Sequence, residues 1–412
     1  MLNRDNLSAV LSAPSPTAAA PREDNARCTP AADVMLLTRS QLQHCRHWPH
    51  AFGTQHKDRR YYEILEDTIH PEFEYLYLAV RDRHGEITSI QPVFLLDLDI
   101  LAGMRPILGG LIEGIRRAWP RFLYLRTMMV GCVAGEGQLD DASEDAQAAH
   151  AALLAREIPR CARALGVRLV VLKEFPKDYR TILSCFVKAG FTRIPSMPLV
   201  RLGIAYESFD DYMRNALNSA TRSKLRKKFK ATDAGEPIAL DVTTEIAPII
   251  EEVYPLYLNV YNRSKLHFEK LSKEYFLKLA ERMPDKVRFF VWRRAGKAVA
   301  FGNCLVHSDT VFAEYLGLDY GVALKLHLYH YVFRDLVKWS IANGYQWFQS
   351  SALNYDPKLH LRYRLKPVDL YVNHTSPLLN MAMRLALPWL EPTRYDKTLR
   401  KFSNYHELWG GN

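Results

Sequence analysis

Two distant segments of this 412-residue chain follow the same order of structural signals. Residues 164–175 read ALGVRLVVLKEF and residues 342–353 read ANGYQWFQSSAL, so each gives a helix end, a glycine and an apolar strand. Earlier in each half, β-rich runs flank a turn signal at residues 84–85 and 295–296. The repeated order predicts a duplicated α/β (α+β) unit with two mixed sheets flanked by helices. A single larger sheet is the alternative.

The chain is longer than the roughly 100 to 200 residues typical of one domain, which agrees with a duplication. Proline and short alanine runs near the N-terminus indicate a disordered tail. The predicted divisions are a tail at 1–32, a first domain at 33–208, a basic helical linker at 209–236, a second, catalytic domain at 237–380 and a C-terminal helical extension at 381–412.

Composition limits the partners and the compartment. The net charge of +10 favours anionic partners such as nucleotide phosphates, RNA or a lipid surface. The six cysteines form no CxxC pair and have no histidine at a ligand spacing, so we expect neither a disulfide framework nor a metal site. No apolar run has the roughly 18 residues that a membrane helix needs. We therefore expect a cytoplasmic protein without integral membrane insertion.

Four motifs in the second half carry a family resemblance. They are RSKLRKKFK (222–230), FAEYLGL (312–318), LHLYHYVF (326–333) and SSALNYDPKLHLRYRLKP (350–367). In this order they resemble the predicted N-acyltransferases of the GNAT superfamily that are related to the Fem-type aminoacyl transferases. The resemblance implies tandem GNAT-like domains and an enzyme that transfers an acyl group to an amine.

The resemblance also implies a donor and an acceptor. The preferred donor is an acyl thioester of CoA or of an acyl-carrier protein, used as a cosubstrate and not as a permanently bound cofactor. The acceptor is a small-molecule or peptide amine. A glycine-rich phosphate loop is expected before a helix, but residues 131–137 and 316–321 are only partial copies. The alternatives are therefore aminoacyl-tRNA as donor, or a non-catalytic protein that binds RNA, a membrane surface or another anion. The oligomeric state is left open.

Acyl transfer to an amine needs a group that accepts the amine proton and a group that protonates the leaving atom. We assign Glu314 or His327 as the base and place Tyr331 or Tyr355 near the leaving group, because these residues crowd the predicted strand ends. Each has a structural alternative: the histidine can pack on its helix, and Glu314 can face solvent. The predicted donor-binding cations are Lys224, Lys227, Lys228, Lys358 and Arg362.

Overall fold

The computed structural model describes residues 33–69, 73–99, 105–119, 121–122, 124–140, 143–264 and 268–410. The tail predicted for residues 1–32 lies outside the described residues. The strands are β1 (Asp33–Leu37), β2 (Glu74–Arg81), β3 (Ile87–Asp99), β4 (Tyr124–Val130), β5 (Leu169–Pro176), β6 (Thr192–Pro195), β7 (Leu199–Gly203), β8 (Ile238–Thr243), β9 (Val287–Arg294), β10 (Lys297–His307), β11 (Thr310–Leu318), β12 (Trp347–Ser350), β13 (Arg364–Lys366) and β14 (Val368–His374).

Helices connect these strands and cover the sheets. They are α1 (Arg39–Leu42), α2 (Arg59–Thr68), α3 (Arg105–Ala118), α4 (Glu144–Ala164), α5 (Arg180–Lys188), α6 (Phe209–Ala216), α7 (Ser219–Asp233), α8 (Ile250–Arg263), α9 (Lys273–Arg282), α10 (Tyr320–Ala323), α11 (Leu328–Ala342), α12 (Tyr355–His360) and α13 (Pro377–Leu390).

The strands form two sheets of seven with the same plan. The first sheet has the order β1-β2-β3-β4-β5-β14-β6, and the second has the order β8-β9-β10-β11-β12-β7-β13. Among the described strands, each sheet has one parallel pair, β4 with β5 and β11 with β12, and its other pairs are antiparallel. The prediction of two mixed sheets flanked by helices is confirmed.

The two halves exchange one strand each. β7 follows the elements of the first sheet in sequence, but it lies in the second sheet between β12 and β13. β14 follows the second-sheet elements, but it lies in the first sheet between β5 and β6. Because each sheet is completed by a strand from the other half, the predicted limits 33–208 and 237–380 do not coincide with the sheets. As domain limits they stay predictions.

The halves also share a core. Helices α2, α8 and α9 lie between them, and one apolar cluster takes side chains from both. The hydroxyl of Tyr275 on α9 donates to the hydroxyl of Tyr61 on α2 at 3.1 Å. At the border of this core, Arg60 forms an ion pair with Asp285, with 2.9 Å between nitrogen and oxygen. The interface is thus a packed part of the fold, and residues of both halves can contribute to one site.

The predicted basic linker is two helices, α6 and α7. The chain breaks at Asn218, whose side chain caps α7 by accepting from the amide of Thr221. The apolar side chains of Leu225 and Phe229 are buried and anchor α7, as the spacing predicts.

Candidate functional site

The second sheet contains a β-bulge in β11. The pairing of β10 with β11 shifts register between Asn303 and Cys304, which leaves Glu314 as the extra residue of β11. A bulge breaks the alternation of side chains along a strand. Phe312 and Tyr315, three positions apart, accordingly pack against the same core between the halves. The bulge therefore lies where β11 faces the first half.

The pairing of β11 with its parallel neighbour β12 ends immediately before the bulge, at Ala313 and Ser350. β11 continues, but the chain after β12 turns away through two residues with positive φ (70° and 50°) into α12. Among the described strands, none takes the vacated place beside β11. The gap between residues 314–318 and residues 351–354, here called the notch, presents a strand edge to which an extended ligand can bond.

A lysine from the first half joins two carboxylates at this position. Lys57 Nζ lies 3.1 Å from Glu136 Oε2 and 3.1 Å from Glu314 Oε2. The lysine side chain is 1% exposed, that of Glu136 5% and that of Glu314 13%. We call Lys57, Glu136, Glu314 and the adjacent His56 the buried charge cluster. Of its two carboxylates, only Glu314 has appreciable contact with solvent.

The cluster separates the acidities of its two carboxylates. Burial would lower the pKa of Lys57, but attraction to Glu136 and Glu314 outweighs burial and raises it. Burial would raise the pKa of Glu136, but the attraction of Lys57 holds it well below its usual range. Burial raises the pKa of Glu314. Attraction to Lys57 offsets this increase only in part, and repulsion from Glu136 adds to it. Of the two carboxylates that share Lys57, Glu136 thus stays ionised, whereas Glu314 is the more basic one and can accept a proton.

His56 completes the cluster. Its ring stacks on Phe312, with 3.8 Å between ring centroids, and its Nδ1 lies 3.4 Å from Gln138 Nε2. Its Nε2 lies 3.7 Å from Glu136 Oε1 and 4.0 Å from Glu314 Oε1, and has no hydrogen-bond partner among the described residues. Burial lowers the pKa of His56 well below its usual value, so the imidazole is neutral near pH 7. A buried, unpaired ring nitrogen therefore faces the two carboxylates.

Hydrogen bonds extend the cluster into the strands beside the notch. Gln349 of β12 donates from Nε2 to Glu136 Oε1 at 3.1 Å, and Lys366 of β13 donates to Gln349 Oε1 at 2.8 Å. Burial lowers the pKa of Lys366. The position of Glu136 is thereby fixed by contacts from both halves.

The glycine-rich segment 131–137 of the first half is not an open phosphate loop. It folds back on β5: the amide of Gly137 donates to the carbonyl of Glu174 at 3.1 Å, and Lys173 donates to the carbonyl of Gly135 at 2.8 Å. A Cβ at Gly137 would lie 2.5 Å from the Phe175 ring. The segment therefore occupies the end of the β4–β5 pair and carries Glu136 into the cluster.

We expect Gly137→Ala to lower the free energy of unfolding by about 1–3 kcal/mol, because the added methyl group overlaps the Phe175 ring and the backbone of Lys173. Urea titration followed by circular dichroism measures this change. Gly114→Ala is the matched control, since a Cβ at Gly114 meets nothing within 4 Å and alanine favours the helix α3. Equal stability of the two variants would contradict the tight packing of this segment.

In the second half, the turn after β11 uses its amides internally. The amide of Gly321 donates to Asp319 Oδ1 at 2.9 Å, and those of Val322 and Ala323 donate to the carbonyl of Asp319. A pyrophosphate loop directs such amides toward its anion. Here they bond to Asp319, whose carboxylate would repel a phosphate.

The cations of α7 lie beside this turn. Thr232 of α7 donates to the carbonyl of Leu326 at 2.9 Å, and Lys228 and Lys224 lie one and two turns earlier on the same helix face. Burial and then the charge of Lys228 lower the pKa of His330, on α11, to about 4. In the described part of the chain, no carboxylate lies within 4.0 Å of the ammonium groups of Lys224, Lys227 or Lys228. These charges are available to an external anion.

Lys358 lies under the chain that leaves β12. Its ammonium group donates to the carbonyls of Ser351 and Leu353 at 2.6 Å and 2.9 Å. Burial lowers its pKa to about 8. Lys358 thus holds residues 351–354 in the conformation that opens the notch.

The other predicted site residues lie outside the buried charge cluster. Tyr331 donates to Asp233 Oδ1 at 2.9 Å and Tyr355 donates to the carbonyl of Pro198 at 2.9 Å. Both pack in the core on the opposite face of the second sheet from Phe312. His327 has a left-handed backbone (φ 48°) before α11, and Arg362 is exposed. Their roles as base, acid and donor contact stay predictions.

Sequence reasoning missed His56, Lys57 and Gln349, and noted Glu136 only as part of a glycine-rich segment. These residues come together through the packing of the halves, which no local pattern records. The strongest available signal was the pair of glycines that flank Glu136, because small residues permit close backbone approach.

Among the described residues, no group of three or more histidine, cysteine, aspartate or glutamate side chains is arranged to hold a metal ion. Within the same residues, no helix has the length and apolar character required to cross a bilayer.

Three solved structures of low sequence identity are similar to this one. L-PGS from Bacillus licheniformis has 11% identity over 79% of this chain and 95% of its own, with a TM-score of 0.50. FemX has 12% identity, 76% and 90% coverage and a TM-score of 0.47. A tandem GNAT protein from the clavulanic acid biosynthesis pathway has 11% identity, 77% and 88% coverage and a TM-score of 0.42. Of these three, the likeness to L-PGS is close enough to show a shared fold.

None of the curated proteins matches this sequence. A family model does: the FemAB-like family, described as peptidoglycan biosynthesis/recognition, matches residues 135–364, which is more than half of the chain. The matched region begins beside Glu136 and includes Glu314 and Lys358. The chain therefore belongs to the FemAB-like family.

Proposed function

We propose that this protein joins an acyl group to an amine in the notch, and that Glu314 accepts the amine proton. The observation that carries this proposal is the bulge, which places a carboxylate of raised pKa at the point where β11 loses its strand neighbour. The amine nitrogen bonds to the acyl carbon, its proton moves to Glu314, and the donor oxygen or sulfur leaves and is protonated. A carboxylate with a raised pKa suits this role better than an ordinary one.

The other cluster members act through Glu314. Lys57 holds the carboxylate in place by its ion pair, and the ionised Glu136 raises the pKa of Glu314. The Nε2 of His56 lies 4.0 Å from Glu314 Oε1 and is buried, so His56 borders the carboxylate without direct access to the substrate. Lys57 and Glu136 are therefore positioning residues in this proposal.

The donor has two candidates. An acyl thioester suits the strand edge of the notch, because its extended arm can bond to backbone groups of residues 314–318. The aminoacyl ester of a tRNA is the second candidate, and a specific observation favours it. The turn after β11 uses its amides on Asp319, whereas Lys224 and Lys228 present unpaired charge beside it. A polynucleotide is bound through such phosphate contacts.

The test is discharge of labelled donors by the full chain. Acetyl-CoA, palmitoyl-CoA and tRNA charged with a labelled amino acid are each incubated with a panel of amines, and amide product is measured. If amide forms with only one class of donor, that class is the donor that this protein uses. If wild-type protein gives product but Glu314→Gln gives the same rate, the base assignment is wrong. If none of the donors yields amide with any amine, the proposed reaction is wrong.

We expect simultaneous replacement of Lys224, Lys227 and Lys228 by alanine to weaken binding of the productive donor and to flatten its salt dependence. The reason is that fewer counterions are released when fewer cations meet phosphates. Binding is measured by fluorescence anisotropy over a range of salt concentrations. The control replaces the exposed residues Arg83, Lys188 and Lys297 by alanine, which removes the same charge elsewhere. If both triple variants keep the wild-type salt slope, the α7 cations serve solubility only.

A further inference from the structure

Helix α13 has an apolar surface where a solvent-facing helix is normally polar. Leu378, Met381, Leu385 and Trp389 recur at helical spacing, and their exposed fractions are 76%, 60%, 71% and 68%. The opposite side of the helix, with Met383 and Leu387, packs against the core of the protein. Single exposed apolar residues are common, but a continuous row on a fourteen-residue helix indicates a surface that another phase or molecule covers.

The charged residues around this row indicate what kind of partner covers it. Within α13 the only charged residue is Arg384, which is exposed at the flank of the row. Beyond the helix the chain adds Lys397, Arg400 and Lys401, all exposed. Two acids lie in the same segment: Glu391 is buried and pairs with Arg394 at 3.5 Å, and Asp396 accepts from the amides of Thr398 and Leu399. With Arg384, Lys397, Arg400 and Lys401 against Asp396, the rim of the apolar row carries a net positive charge.

Aromatic side chains stand at the end of the row. Trp389 is followed by Tyr395, which is 65% exposed, and the guanidinium of Arg394 lies 5.5 Å from the Trp389 ring. Tryptophan, tyrosine and arginine together are the residues that favour the boundary between lipid headgroups and acyl chains.

We propose that α13 docks this protein on the surface of an anionic lipid bilayer. The apolar row enters the region between headgroups and acyl chains, and Arg384, Lys397 and Arg400 meet the lipid phosphates. A fourteen-residue helix is about 21 Å long, shorter than the roughly 30 Å hydrocarbon layer, so α13 lies in the surface and does not cross it. A second copy of the chain is a poorer occupant, because two such rows face to face would bring their positive rims together. This inference does not depend on the reaction proposed above.

The experiment is flotation of the full chain with two kinds of vesicle, one of phosphatidylcholine alone and one with phosphatidylglycerol added. We expect wild-type protein to float with the anionic vesicles at low salt and much less with the neutral ones. Replacing Leu378, Leu385 and Trp389 by serine should lower the partition coefficient by about tenfold or more, since three exposed apolar side chains are lost. The control variant Val242→Ser with Leu324→Ser removes exposed apolar side chains from the second half and should bind like wild type.

Several results would overturn the proposal. One is that wild-type protein stays unbound with anionic vesicles, and another is that the triple variant floats as well as wild type. Equal binding to neutral and to anionic vesicles would show that the positive rim does not contribute to docking. A dimer of wild-type protein that the triple variant abolishes, without vesicle binding, would show that the row joins two copies. If the triple variant does not fold, quenching of tryptophan fluorescence by brominated lipid decides: it must occur in wild type and diminish in Trp389→Phe.

Discussion

Glu314→Gln is expected to lower kcat by about a hundredfold to ten-thousandfold, with little change in donor affinity. Glutamine keeps the size of the side chain and removes the basic oxygen. Lys57 retains its contact with Glu136, so the charge cluster keeps one ion pair and the fold should persist. Single-turnover rates with the productive donor separate the chemical step from binding. Glu274→Gln, at an exposed position on α9, is the control and should react like wild type.

The pH dependence of the rate gives an independent check on Glu314. Because burial raises its pKa, the basic form is present at high pH and is lost as the pH falls through a value above the usual glutamate range. We expect kcat/KM to rise with pH and to level off when Glu314 is ionised, and Glu314→Gln should lack this limb. A rising limb that persists unchanged in Glu314→Gln would assign the titration to another group.

Lys57→Met is expected to lower the free energy of unfolding by about 3–5 kcal/mol at pH 7. The substitution keeps the volume of the side chain but leaves two buried carboxylates without their shared cation. Urea titration measures the change. Lys273→Met is the matched control: its ion pair with Glu251 is exposed on both sides, so its loss should cost about 1 kcal/mol or less.

Lys57→Met should also reverse the pH dependence that the buried charge cluster gives to the free energy of unfolding. In wild type, the pKa of Glu136 is depressed by folding, so its contribution is present above the unfolded pKa and is lost as the pH falls. In Lys57→Met both carboxylates are buried without a cation, which raises their pKa values, and protonation at low pH then stabilises the fold. The stability gap between the two proteins should therefore narrow as the pH falls. A gap that stays constant down to pH 4 would show that the carboxylates of this cluster are not coupled to Lys57.

Local sequence patterns predicted which residues form strands but not where each strand pairs. The alternating apolar residues at 368–374 predict an extended segment, and β14 has these bounds. Its alternating apolar residues fit any half-buried sheet position, so the pattern alone could not place it between β5 and β6. That placement depends on contacts between residues far apart in the chain, as does the placement of β7.

The candidate site likewise contains residues that the sequence indicated and residues that it did not. Glu314 was assigned from the sequence because it lies near the end of a predicted strand, where an open sheet places its ligands. Lys57 lies in a stretch without regular periodicity between the start of the first domain and α2, so nothing in its surroundings pointed to Glu314. Tyr331 and Tyr355 were chosen for their nearness in sequence to strand ends, but the sheet separates them from Phe312. Nearness in sequence did not indicate which face of the sheet a side chain occupies.

The exchanged strands also determine when the first sheet can be completed during synthesis on the ribosome. β6 is hydrogen-bonded only to β14 among the described strands, and β14 is made near the end of the chain. At about 5–20 residues per second, β6 waits on the order of ten seconds or more with its edge unpaired. The first-made half thus cannot be released as a finished unit, and a nascent chain stopped before residue 368 carries an open edge that invites chaperones or aggregation.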